Sequence, residues 1–254
     1  MRAWRFVAVA LWLAAPASAQ TIRVAAASDL QAALPVIAAQ FEKDTGHKVS
    51  LTFGSSGNFF TQIQNGAPFD LFLSADIEYP RRLEQVGLGE KGTLTQYAMG
   101  RLVLWTRNDS GIDLQLGLAV LADARVRKIA IANPAHAPYG RAAVAAVRRE
   151  GLYDRVQPKL VMGENISQAA QFAQSGNADV GILALSLALA PAMKSSGTYV
   201  EIPASFHPPI EQAGVVVAAS KQKPLALQFL HTLTSAAAQR VLRSSGFEAP
   251  RPGV

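Results

Sequence analysis

Residues 49–76 read VSLTFGSSGNFFTQIQNGAPFDLFLSAD, and the order of apolar and turn-forming residues within them decides the fold class. Residues 49–53 are β-prone and apolar. Gly54-Ser55-Ser56-Gly57-Asn58 then makes a tight turn into a short helix that ends near Asn65-Gly66. Residues 69–74 (FDLFLS) form a further apolar strand, and Ala75-Asp76 leads into a helix over about 79–86. The same alternation holds upstream. Residues 21–27 (TIRVAAA) read as a buried strand, and Leu30, Leu34, Ile37, Ala38 and Phe41 then recur at helical spacing. Ser28 is placed as an N-cap, and Gly46 as the stop of that helix. Alternation of this kind predicts an α/β fold built on a largely parallel sheet. Ligands of such sheets sit outside the carboxyl ends of the strands, where loops enter helices.

A second α/β run follows. Strands are expected at 102–106 (LVLWT), 128–132 (KIAIA), 159–162, 180–185 (VGILAL) and 214–219 (GVVVAA). Helices are expected at 118–121, 141–150 and from Asn165 to about 175, with one long final helix over 224–242. The two runs join through apolar strands and not through a flexible tether, and two crossings between lobes make a hinge. The expected division is a first lobe of 20–99 and 218–254 and a second lobe of 100–217.

Residues 1–19 are set apart. Arg2 and Arg5 precede a short apolar run over 6–15, and Ala17-Ser18-Ala19 has the small residues of a cleavage site, so a secretory signal peptide cut after Ala19 is expected. The run is too short to span a bilayer. Loss of Arg2 and Arg5 lowers Lys plus Arg from 24 to 22 against 18 acidic residues, so the net charge falls from +6 to +4. That excess helps attract an anion at long range. It is too small and too dispersed for a nucleic-acid partner. The chain has no Cys, which excludes a disulfide scaffold, thiolate metal sites and a cysteine nucleophile. His47, His136, His207 and His231 lack metal-ligand spacing.

Three strand-to-helix corners share a pattern of small and polar residues: AAAS at Ser28, FGSSGN at Ser56 and MGENIS at Ile166. Helix starts present free backbone N–H groups and the positive end of the dipole, and serine hydroxyls add neutral donors. A fourth loop, NPAHAPYG, aims the Tyr139 N–H and side chain at the same cleft. Four such corners from two lobes can surround one small anion. Taken singly, each corner is ordinary capping: Ser55 as part of a turn, Asn165 as the cap of its helix. Asp29 is read as a charge that complements the helix dipole, with its side chain turned away and only its N–H available.

The segments VAAASDL, FGSSGNFFTQIQNGAPFDLFLSAD, IANPAHAPYGRAA and GENISQAAQFAQSGNADVGILALS together resemble the molybdate-binding proteins of ABC importers. The resemblance spans nearly the whole chain after the leader. It implies a type II periplasmic binding fold, with two lobes of mostly parallel sheet flanked by helices. It implies a dehydrated oxyanion, molybdate or tungstate, held by Ser28, Ser56, Tyr139 and the backbone N–H of Ile166, with Asp29, Ser55 and Asn165 as further candidates. A periplasmic monomer that delivers its ligand to a membrane permease, without a cofactor, is the corresponding expectation. One departure is clear. Some members of the group place a ligand-binding Tyr where this chain has Ala184, and Tyr139 stands where they have a small residue.

A site of donors without acceptors suits a fully ionised oxyanion, including sulfate or thiosulfate, better than a protonated phosphate. A secreted serine hydrolase would need a G-x-S-x-G elbow, which Gly54-Ser55-Ser56-Gly57 does not match. No Walker loop is present either, because no Lys-Ser/Thr follows the glycines of residues 87–93. The leader argues against a regulator's effector lobe. A buried carboxylate filling the space between the corners would contradict the anion reading.

Overall fold

A computed structural model describes residues 19–250, so all of the expected leader except Ala19 lies outside the described residues. Among the described residues ten strands form two five-stranded sheets. The first contains β1 (Thr21–Ala27), β2 (Lys48–Gly54), β3 (Leu71–Ser74), β4 (Thr95–Gly100) and β10 (Ile210–Val216), in the order β2-β1-β3-β10-β4. The second contains β5 (Leu102–Arg107), β6 (Ile129–Ala132), β7 (Leu160–Gly163), β8 (Val180–Ala184) and β9 (Gly197–Glu201), in the order β7-β6-β8-β5-β9.

The two sheets share one plan. Three parallel strands (β2, β1, β3 or β7, β6, β8) are extended by two more through two successive antiparallel pairings. The sheets are therefore mixed by pairing, while four of the five strands in each run the same way, within the expected two-lobed α/β plan. The crossings explain the one reversed strand. The chain leaves the first lobe through β4 and enters the second through β5, then leaves through β9 and returns through β10. Each arriving strand adds antiparallel to the parallel set, and each departing strand closes the edge.

β10 belongs to the first sheet, so the return to the first lobe comes before Ile210 and not at 218 as expected. The run GVVVAA is equally strand-like in either lobe, and its partners alone decide its place. The long final helix is also corrected. It is two helices, Lys223–Thr232 and Ala236–Ser244, because the Ser235 hydroxyl accepts from the Ala238 N–H and starts a new helix.

Strand alternation sets the core of the first lobe. Ile22, Val24 and Ala26 pack on one face with Leu34, Ile37 and Phe41 of the helix Leu34–Thr45 and with Phe229 and Leu230. Ala25 faces the other side, with Phe59, Phe60 and Leu83. Gly46 ends the Leu34 helix at φ 73°, as its sequence position predicts. In the second lobe Trp105, Ile131 and Ile182 centre one core, which also takes in Ala27 and Ala75 from the first lobe. Those two alanines are small, apolar and in contact across the cleft, so the lobes meet closely where the strand ends face each other.

Candidate functional site

Four helix starts meet between the lobes. Ser28 opens a short 3-10 turn (Ser28–Leu30) after β1, and Ser56 opens the helix Ser56–Gln64 after β2. From the second lobe, Tyr139 is the second residue of Pro138–Arg149, and Ile166 is the first of Ile166–Gln174. First-turn N–H groups have no acceptor within their own helix. All four residues line one small cavity with Ala27, Asp29, Gly54, Ser55, Ala75, Ala137 and Pro138. Space for the centre of a water-sized sphere there is about 10 Å³. Every one of these four is at least 96% buried. A larger groove of about 650 Å³, bordered by Arg23, Asp70 and Lys221, lies at the opposite, amino-terminal ends of β1 and β3 and has none of these helix starts.

The serine hydroxyls are not spent on capping. Ala27 precedes the Ser28 turn without a side-chain bond, and Ser55, at the N-cap position of its helix, makes none either. The Ser56 hydroxyl accepts from the Ala75 N–H at 3.0 Å, which leaves its own proton free to donate. The Ser28 hydroxyl lies 3.4 Å from the Ser167 N–H of the other lobe. Ser55 reaches across the cleft and donates to the His136 carbonyl at 2.7 Å. Asn165 is different: its side chain accepts from the Gln168 N–H at 3.0 Å, it caps its helix, and it does not border the cavity.

The Asp29 side chain, expected to turn away as a charge complementing the helix dipole, is fully buried beside the cavity. It turns toward the hinge, where Gln212 of β10 donates to Oδ2 at 2.6 Å. Tyr97 of β4 bonds the same Gln212 at 3.2 Å. The Tyr139 hydroxyl approaches the carboxylate too, but Oδ1 meets no well-aligned donor among the described residues. Burial pushes the Asp29 carboxyl up to about 6, against smaller opposing effects of Tyr139, Gln212 and its own backbone N–H. The carboxyl group thus borders the cavity but is drawn to the hinge side by Gln212 of the first sheet, and it does not fill the space between the four helix starts.

The Tyr139 side chain therefore points to the hinge. A Cβ on Gly100 would lie 2.3 Å from the Tyr139 hydroxyl, so glycine at 100 makes room for it. The hydroxyl is pushed well above its ordinary range by burial and then by Asp29, so it stays protonated. What Tyr139 brings to the cavity is its helix-start N–H. Ala184 ends β8 outside the cavity lining, and the nearby Ser186 hydroxyl donates to the Asp29 carbonyl at 2.8 Å.

Sequence reasoning missed the rim. Arg141 Nη2 pairs with Asp76 Oδ2 at 2.5 Å and Nη1 donates to the Tyr79 hydroxyl at 3.1 Å. Ser167 donates to Gln31 at 2.8 Å, and Asn58 bonds Glu164. All of these join the two lobes. Polar side chains on separate loops give no periodic signal, and only the folded juxtaposition reveals them.

A family model described as bacterial extracellular solute-binding protein matches residues 22–248. The molybdate-binding protein ModA of Azotobacter vinelandii is 40% identical over 235 residues, 92% of each chain. ModA of Rhodobacter capsulatus is 36% identical over 241 residues, 95% of this chain and 93% of the relative. Among solved structures, the A. vinelandii periplasmic molybdate-binding protein superposes with a TM-score of 0.85 at 35% identity, covering 91% of this chain and 100% of that one. The sulfate-binding protein SubI of Mycobacterium tuberculosis H37Rv shares the fold, with a TM-score of 0.72 at 18% identity over 92% of this chain and 88% of that one. On the family match and the near full-length likeness, this chain belongs to the bacterial extracellular solute-binding proteins.

Proposed function

We propose that this protein captures one fully ionised tetrahedral oxyanion, molybdate or tungstate, between its lobes in the periplasm and delivers it to the membrane permease of an ABC importer. The carrying observation is the meeting of buried, neutral donors from four helix starts in one cavity that Lys, Arg and His do not border. The ligand-facing groups in this reading are the Ser28 and Ser56 hydroxyls and N–H groups, the Tyr139 N–H and the Ile166 N–H. Helix starts attract anions, and bonds to an ionised acceptor are the strong kind. The likeness to proteins named for molybdate binding supports the choice of ligand. No reaction is assigned to the site: the Ser55 hydroxyl lies 2.9 Å from His136 Nδ1, but it gives its proton to the His136 carbonyl at 2.7 Å, so the pair ties the lobes together. The chain is taken to act as a monomer.

Thermal unfolding of the protein after leader removal, with molybdate, tungstate, sulfate or phosphate, tests this. A ligand at about a hundred times its dissociation constant adds about 2.7 kcal/mol of stability. Large upward shifts are expected with molybdate and tungstate and little with phosphate. A shift with sulfate alone would move the assignment to another oxyanion, and no shift with either heavy oxyanion would reject it.

A further inference from the structure

Arg141 stands where helix energetics disfavour it. It is the fourth residue of the helix Pro138–Arg149, two residues past Tyr139, and a cation in a first turn opposes the dipole. Its partners lie on the other lobe: the Asp76 carboxylate at 2.5 Å, the Tyr79 hydroxyl at 3.1 Å and the face of the Tyr79 ring at 5.4 Å. Asp76 ends the corner after β3 that also supplies Ala75 to the cavity lining. The pair is part-exposed, with side chains 39% and 27% accessible, so it lies at the mouth and not within the cavity. Hinge opening separates it, because the two partners ride on different lobes.

We propose that Arg141 is a capture residue with two successive partners, the incoming oxyanion in the open protein and Asp76 in the closed one. The inference rests on the oxyanion reading. With the lobes apart, the guanidinium is released from Asp76 beside the helix starts of its own lobe and draws a dianion toward them. Such a charge acts on the association rate and fades with salt. With the lobes together, Asp76 neutralises it, and the ion pair with the Tyr79 contact holds the mouth shut. Arg141 is thus a positioning residue that does not touch the bound anion.

The full-length protein after leader removal, labelled ⁹⁹Mo-molybdate, equilibrium dialysis and release into excess unlabelled molybdate separate the two roles. Arg141→Gln is expected to slow association about threefold to tenfold at low ionic strength, converging with wild type at high salt, and to speed release several-fold. Asp76→Asn keeps the cation, so association stays at least as fast while release accelerates. Arg141→Lys is expected to rescue association but not slow release, because lysine lacks the planar fork. An Arg141→Gln effect on release alone, or association lost equally in Arg141→Lys, overturns the capture role. Unchanged rates in both Arg141→Gln and Asp76→Asn overturn the whole inference. Absence of molybdate binding in the wild type would instead reject the oxyanion reading beneath it.

Discussion

Gly57 donates its backbone N–H to the His136 carbonyl across the cleft at 2.9 Å, and a Cβ at position 57 would lie 2.6 Å from that same oxygen. The closed contact is therefore open to glycine alone. Gly57→Ala leaves each lobe's backbone intact: parting the lobes relieves the clash with His136, and the Tyr79 hydroxyl, 2.8 Å from the added Cβ on the same lobe, is the end of a side chain that can swing aside. Affinity for molybdate is expected to fall at least about tenfold, roughly 1.4 kcal/mol. The unfolding midpoint of the ligand-free protein should stay close to wild type. Calorimetric titration with parallel thermal unfolding checks this, and undiminished affinity would show that the contact plays no part in closure.

The serines and Asn165 should separate cleanly. Ser28→Ala and Ser56→Ala each remove a buried hydroxyl from an anion, a loss of roughly 1.5–3 kcal/mol of binding. Asn165→Ala removes a cap bond, which costs about 1 kcal/mol of folding stability and little affinity. Equilibrium dialysis and urea unfolding on the three variants measure both quantities. Equal effects on stability and none on binding would leave the serines a structural role alone, as acceptors from the Ala75 and Ser167 N–H groups.

Asp29 gives the fold a pH dependence of defined sign. Its folded carboxyl lies near 6 against an ordinary value of 3.8, chiefly through burial, so the folded state binds more protons between those values. Stability from this group is complete below about pH 4 and is lost as pH rises through about 6. The full span is on the order of 3 kcal/mol. Asp29→Asn keeps an acceptor for Gln212 and cannot ionise. The variant should match wild type near pH 4 and exceed it near pH 8 in urea unfolding. Parallel curves for the two proteins would contradict the buried charge.

The α/β class and the four corners were legible because strand, turn and helix start follow one another within a few residues. Serine-rich turns after apolar runs mark such corners locally. The mixed sheets were not legible. β4 (TQYAMG) and β9 (GTYVE) mingle polar residues and glycine with short apolar runs and carry partly exposed edge patterns. Their direction depends on where the chain crosses, which no local pattern records. The burial of Asp29 was not legible because its surroundings come from β4, β10 and the Tyr139 helix, all distant in sequence. His136, one of four histidines without metal-ligand spacing, takes part in closure through its backbone carbonyl, which accepts from Gly57 and Ser55, and through its ring, whose Nδ1 lies 2.9 Å from the Ser55 hydroxyl.

Crystals of the protein grown with tungstate, measured on both sides of a tungsten absorption edge, test the central claim most directly. One anomalous peak per chain is expected, within hydrogen-bond reach of Ser28, Ser56 and the N–H groups of Tyr139 and Ile166. A peak in the groove beside Arg23 and Lys221, or none between the lobes, would contradict it.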